Sequence, residues 1–176
     1  MRDGKRKIIW MAADLLFAAA LIALDQLTKQ LAVAKLMGRE PFVILRGIFE
    51  LDYLENRGSA FGMFQNQKIF LLAMGVIMLV IMLFLWLRTP AEKKYLPIHL
   101  AVAGIAAGGL GNMIDRFRLG YVVDFFSFVL IHFPVFNVAD ICIVLSTLLM
   151  AVLLIFIYRD EDLDFLSLKK TGKNND

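Results

Sequence analysis

Four long apolar runs divide the chain. Residues 8–24 are apolar throughout except for Asp14, and residues 69–87, 96–114 and 141–158 contain no Asp, Glu, Lys or Arg. A bilayer core needs about 20 apolar helical residues. In water, each run would need cover on all sides, and too little amphipathic chain is left to supply it. The pattern predicts four membrane helices, over about 8–27, 69–87, 96–116 and 138–158. The first run exceeds the apolar region of a signal peptide, about 7–15 residues. It also passes into Asp25-Gln26-Leu27-Thr28-Lys29 and not into a clear small-residue cleavage site, so it reads as an uncleaved anchor. Between the runs, residues 32–36 suit a short interfacial helix that stops near Gly38 and Pro41. Phe49, Leu51 and Tyr53 alternate with Glu50 and Asp52, which predicts strand over about 42–54. Asn56-Arg57-Gly58 reads as a turn. No internal repeat is present, so an inverted-repeat transporter has no support. The tail after Arg159 is charged and is expected to fray.

Composition sharpens this picture. Of the 176 residues, 60% are hydrophobic and 20% charged, against about 45–50% and 25% in soluble domains. A lone cysteine, Cys142, excludes an internal disulfide and any multi-cysteine metal cluster, and two histidines, His99 and His132, argue against a multi-histidine centre. The net charge of +3 would suit nucleic acid if the basic residues clustered, but they do not. Segments 1–7, 88–95 and 159–176 hold eleven of the nineteen Lys and Arg in 33 residues, while segments 28–68 and 116–136 hold eight in 62. Basic residues concentrate on the cytoplasmic side of a membrane protein. Both termini and the 88–95 loop are therefore expected in the cytoplasm, with 28–68 and 116–136 outside. The charge reads as topology and lipid contact, with no nucleic-acid partner.

Ionisable groups in or near hydrocarbon cost about 2.5–3.5 kcal/mol each at a helix centre, so each needs a reason. Asp14 lies seven residues past Lys7 and can reach the interface or pair with a basic residue there. Asp25 and Lys29 are four apart on one helix face; they form either an outer ion pair, with Lys29 snorkelling, or support for a site. In the third run, Gly104 and Gly108, and Ala107 and Gly111, form small-xxx-small pairs that let helices approach closely. Asn112 and Asp115 then share one face at its outer end. Arg116 is either an interfacial anchor or a fixed charge aimed at a carboxylate. The third helix exits outward and the fourth returns, which brings Asp124 and Asp140 to one membrane depth. Two close carboxylates can share a proton, one acting as base and one as acid, and can activate water. Equally, Asp124 could cap a turn and Asp140 the fourth helix. Cys142 with His132 would be a nucleophile–base pair, but a cysteine opening an apolar helix reads better as a buried structural residue. His132 and His99 read as interfacial.

The polar blocks, in order, resemble the lipoprotein signal peptidases (signal peptidase II). They are Asp25-Gln26-Leu27-Thr28-Lys29; Asn56-Arg57-Gly58-Ser59-Ala60-Phe61; Gly108-Gly109-Leu110-Gly111-Asn112-Met113-Ile114-Asp115-Arg116, running on to Gly120-Tyr121-Val122-Val123-Asp124-Phe125; and Phe136-Asn137-Val138-Ala139-Asp140. The resemblance covers most of the chain. It implies one integral membrane peptidase domain, an all-α polytopic fold of four transmembrane helices. A small extracytoplasmic β-cradle over about 42–64 and an interfacial helix before it complete that fold. It implies an aspartic endopeptidase of the bacterial cytoplasmic (inner) membrane that removes the signal peptide of a prolipoprotein, just before a diacylglyceryl-modified cysteine. Asp124 and Asp140 would be the catalytic pair at the extracytoplasmic interface. Asn56, Gly58, Asn112, Arg116 and Asn137 would position carboxylates and substrate, with Asp25, Lys29 and Asp115 supporting them. No metal or organic cofactor is expected; the partners are the lipid-modified substrate and membrane lipids, and the chain is expected to be a monomer. A proton-coupled carrier would instead spread its acids through the bilayer, whereas four of these five aspartates group at one face. A structural subunit would leave the pairing of Asp124 with Asp140 unexplained.

Overall fold

The computed structural model describes residues 2–59 and 63–166. Four helices form the body: α1 (Arg2–Leu36), α2 (Lys68–Arg88), α3 (Leu96–Arg118) and α4 (Val138–Val152), the last continuing through a π-helical turn, Leu153–Ile157. Each of the four segments is long and apolar enough to cross a membrane. They differ in exposure. Two-thirds of the apolar window of α3 is buried inside the protein, but 11% of that of α1, 6% of that of α4 and none of that of α2. The third helix is thus the hub, and the outer faces of the others suit only lipid.

Small residues make α3 the hub. A Cβ at Gly104 would collide with the Ser146 side chain on α4, and one at Gly108 with the Ala139 carbonyl oxygen. On another face, a Cβ at Gly109 would collide with Met78 of α2, while Gly75 of α2 leaves room for Met113 of α3. The Gly104–Gly108 pair therefore serves α4, Gly111 of the second pair lies first against Asp25 of α1 and then against Ala139 of α4, and further glycines serve α2.

Three antiparallel strands, β1 (Phe42–Leu45), β2 (Phe49–Asn56) and β3 (Val122–Ser127), form one sheet in the order β1-β2-β3. The expected single strand over 42–54 is a hairpin. Gly47 at φ 74° supplies the left-handed residue its tight turn requires, and the Ile48 N–H bonds the Leu45 carbonyl. The register sets Leu54 opposite Asp124 and Asn56 opposite Val122. Residues 32–36 are not a separate interfacial helix. No glycine or proline interrupts 25–36, so α1 runs on to Leu36, and Ala32 and Leu36 bury against Val123 and Phe125 of β3.

At the other end, Asp14 and His99 are both buried inside the protein. His99 Nδ1 lies 2.7 Å from Asp14 Oδ2, Trp86 Nε1 donates to the same oxygen at 2.8 Å, and His99 Nε2 lies 3.2 Å from the Pro90 carbonyl. Asp14 thus pairs with a histidine and a tryptophan and, among the described residues, with no basic side chain of its own helix. Nor does the tail fray at once. Residues Asp160–Leu166 form a 3₁₀ helix in which Asp162 pairs with Lys94, the Tyr95 hydroxyl donates to the Asp162 carbonyl, and Phe165 packs edge-on to Tyr95.

Candidate active site

Asp124 and Asp140 arrive from different elements and line one cavity of about 850 Å³ with Asn56, Asn112 and Arg116. Asp124 sits on β3 and is 1% exposed. Its two oxygens accept from Asn56 Nδ2 at 2.8 Å and from Asn137 Nδ2 at 2.6 Å. Asp140 stands in the first turn of α4. The Asn137 side chain accepts from the Asp140 N–H at 3.0 Å, and Asp140 Oδ2 accepts from the Asn137 N–H at 3.1 Å. This reciprocal pair is a capping box. Asp140 Oδ1 accepts from Asn112 Nδ2 at 2.8 Å. Asp140 therefore does cap its helix, yet it is only half-buried and its carboxylate borders the cavity. Asn137 also donates to Asn112 Oδ1 at 3.1 Å, so one asparagine is shared by both carboxylates and by the third helix.

Beneath this layer lies a buried ionic one. Lys29 is 3% exposed, which rules out snorkelling. Its ammonium contacts Asp25 Oδ2, Asp115 Oδ2 and Asn112 Oδ1, each at 3.0 Å, which uses all three donors. The other oxygen of Asp25 accepts from the Ala139 N–H at 2.9 Å, while Asp115 Oδ2 accepts from the Val123 N–H at 3.2 Å. Ala139 immediately precedes Asp140, and Val123 immediately precedes Asp124. Each supporting carboxylate thus holds the backbone one residue ahead of a cavity aspartate, and Lys29 ties the two supports together. Gly111 makes room, since a Cβ there would lie 2.6 Å from Asp25 Oδ2. Gln26, which the sequence reading passed over, donates to Asp25 at 3.1 Å and Asp115 at 3.0 Å. A further polar residue at the end of an apolar run was the available signal.

Arg116 lines the same cavity and its charge acts on Asp140 and Asp124, but it makes no direct contact with a carboxylate among the described residues. Its Nη2 donates to the Gly58 carbonyl at 2.8 Å, and among the described residues it forms no ion pair. Its buried Nε has no partner among the described residues. Gly58 in turn donates to Asn56 Oδ1 at 2.9 Å, and a Cβ there would lie 2.5 Å from the Met63 carbonyl oxygen. Arg116 and Asn56 thereby fix the 56–58 turn over the cavity. Ala60 and Phe61 of that block lie outside the described residues. Cys142 is half-buried and free, and His132 is exposed; no hydrogen bond joins them. Among the described residues no three His, Cys, Asp or Glu side chains are grouped to hold a metal ion.

Burial pushes the Asp124 carboxyl up from the usual carboxylate range to about 7, with the neighbouring Asp140 charge adding to the rise; the amides of Asn56 and Asn137 oppose it. Beyond this floor, Glu55, Ser59 and Gln65 add polar groups on the side of the β2–α2 connection, and the rest of the cavity lining is apolar. Phe133, Phe136, Ile143, Val144 and Leu145 form its walls, and Val144 and Leu145 are also exposed on the outer face of α4. A polar floor with two carboxylates thus opens along an apolar wall towards lipid.

Residues 17–156 match the sequence profile of the family described as Signal peptidase (SPase) II. The chain belongs to the signal peptidase II family. A lipoprotein signal peptidase of Caldanaerobacter subterraneus is 40% identical over 143 residues, covering 81% of this chain and 95% of that protein. One of Clostridium acetobutylicum is 36% identical over 163 residues, covering 91% and 99%. A solved structure described as a bacterial membrane enzyme, determined by the in meso method, superposes with a TM-score of 0.72 at 24% identity, covering 90% of this chain and 94% of that one. That likeness shows the shared fold. As a signal peptidase II, the chain is a multi-pass protease of the bacterial cytoplasmic membrane that processes lipoproteins.

Proposed function

We propose that Asp124 and Asp140 are the catalytic pair of an aspartic endopeptidase, and that it cuts a prolipoprotein before its diacylglyceryl-modified cysteine. The observation that carries this reading is their convergence on one cavity floor, each aspartate held by two N–H donors. Asp124, the more deeply buried, carries the shared proton up to about pH 7. Asp140, open to the cavity, is the ionised base. Asp140 takes a proton from water as the water oxygen attacks the scissile carbonyl carbon, and Asp124 gives its proton to the carbonyl oxygen. Asp140 then protonates the leaving nitrogen as the C–N bond breaks, and Asp124 recovers its proton from the collapsing diol. Asn56, Asn112 and Asn137 hold the two carboxylates, and the buried Arg116 Nε is a donor available to the substrate backbone. Lys29, Asp25 and Asp115 are positioning residues.

The apolar wall supports the lipid part of the substrate. Each buried methylene contributes about 0.8 kcal/mol, so acyl chains along Ile143, Val144 and Leu145 supply much of the affinity without leaving the membrane. The basic-residue asymmetry supports cytoplasmic termini, with the site at the extracytoplasmic interface. The chain acts as a monomer in this reading. The test is cleavage of a lipid-modified prolipoprotein by purified variants free of host enzyme. Asp124→Asn and Asp140→Asn should each reduce cleavage at least 1,000-fold by analogy with other catalytic units, and the double variant should be little worse. Folded single variants that still cut at more than a tenth of the wild-type rate overturn the assignment.

A further inference from the structure

Far from the aspartates, a second cavity of about 530 Å³ lies between the first turns of α1 and the connection to α3, lined by Arg6, Trp10, Ala91, Glu92, Lys93 and Lys94. Arg6 is 19 residues before Asp25 on one helix, roughly 28 Å away at 1.5 Å per residue, so the peptidase chemistry does not use it. Its charge is unbalanced. Lys94 is paired with Asp162. Among the described residues neither Arg6 nor Lys93 has an ion-pair partner, and Glu92 is the one acidic residue in the lining.

Beyond Trp10, the same face of α1 turns apolar. Arg6, Trp10, Ala13 and Phe17 fall at i, i+4, i+7 and i+11, which is one face of α1. Ala13 and Phe17 are exposed, as is the neighbouring Ile9. Trp10 stands where the charged mouth meets this track, its ring 5.2 Å from that of His99. The buried contacts of His99 with Asp14 and with the Pro90 carbonyl anchor the residue just before Ala91. One set of interactions therefore sets both walls.

The geometry points to a binding site for an anionic phospholipid, its phosphate between Arg6 and Lys93 and an acyl chain along Trp10 and Phe17. Guanidinium and ammonium donors suit a phosphate diester, and an indole at the polar–apolar boundary suits a glyceryl ester region. A free phosphate would satisfy the cations but leave the apolar track unused.

Native mass spectrometry and thermal unfolding of the full chain in detergent test this. Phosphatidylglycerol, phosphatidylcholine with the same acyl chains, and inorganic phosphate are added separately. One phosphatidylglycerol should be retained and raise Tm more than phosphatidylcholine does, with inorganic phosphate ineffective. Arg6→Gln and Lys93→Gln should each weaken retention about fivefold, with Arg6→Lys and the neighbouring Lys5→Gln close to wild type. Prolipoprotein cleavage in detergent should be unchanged in all four variants and reports that they are folded. Equal effects of the two lipids overturn the site. Protection by inorganic phosphate makes it a soluble-anion site, and equal loss in Lys5→Gln makes the attraction a diffuse one; both overturn the proposal.

Discussion

Asp124 illustrates how much a single residue's surroundings decide. It is 1% exposed, and its carboxyl is pushed up to about 7 by burial and then by Asp140. The sign follows directly. Below about pH 7 the pair keeps one proton, which is the working form; above it the proton leaves and both carboxylates are charged. Cleavage should therefore fall on the alkaline side with an apparent pKa near 7, a value that belongs to the pair and not to one residue. Asn56 provides the check. Its amide donates to Asp124 Oδ2 at 2.8 Å and favours the ionised form. In Asn56→Ala that support is gone, so the alkaline limb of the pH–rate profile should move up by about one unit while the maximum falls. A limb that stays in place or moves to lower pH would show that Asp124 does not carry the titrating proton.

At the scale of elements, the site depends on how closely three helices and a strand can meet. Lys29 on α1 joins Asp25 to Asp115 of α3, and those carboxylates hold the N–H groups ahead of Asp140 and Asp124. Lys29→Met leaves two buried carboxylates without their cation, and breaking a buried pair this way costs about 3–5 kcal/mol. Its Tm in lipid should drop by more than 5 °C and cleavage should fall with it; a thermally unchanged variant would make the ion pairs dispensable. Gly108→Ala is a separate test. The new methyl collides with the Ala139 carbonyl and must push the first turn of α4, with Asp140, away from α3. Cleavage should drop at least tenfold, whereas Gly4→Ala, with open space around the new methyl, should be neutral. The helices themselves are legible in the sequence because lipid-facing runs need no pattern beyond length and hydropathy, and the Gly/Ala spacing of α3 announces close packing. The strand carrying Asp124 is harder to read: Val122, Val123, Asp124 and Phe125 are all buried, so the alternation that marks a half-exposed strand is missing. The continuation of α1 to Leu36 is also hidden, because its last turns bury against a strand some ninety residues later. Asp25 and Lys29 are visible as a pair, but their grip on Val123 and Ala139 runs through backbone N–H groups that no side-chain motif encodes.

The whole molecule is asymmetric along the bundle axis. The sheet and the aspartate cavity occupy one end; the chain start and the helix Asp160–Leu166 occupy the other. The apolar spans between them leave each end in its own aqueous compartment. Lys and Arg are denser at the second end, and that bias orients a membrane protein with its basic loops in the cytoplasm. In the proposed orientation, the substrate's scissile bond meets the cavity from outside the cytoplasmic membrane. Single cysteines decide this, since Cys142 is the sole native thiol and Cys142→Ala should retain full cleavage, no step of the proposed reaction using sulfur. In that background, Ser59→Cys places a thiol in the lining of the aspartate cavity and Glu161→Cys places one on the terminal helix. A membrane-impermeant maleimide applied to intact cells, or to spheroplasts where an outer membrane blocks it, should label Ser59→Cys at once. Glu161→Cys should react only after the membrane is opened. The reverse pattern would put the aspartates in the cytoplasm and remove the proposed route by which an exported prolipoprotein reaches them.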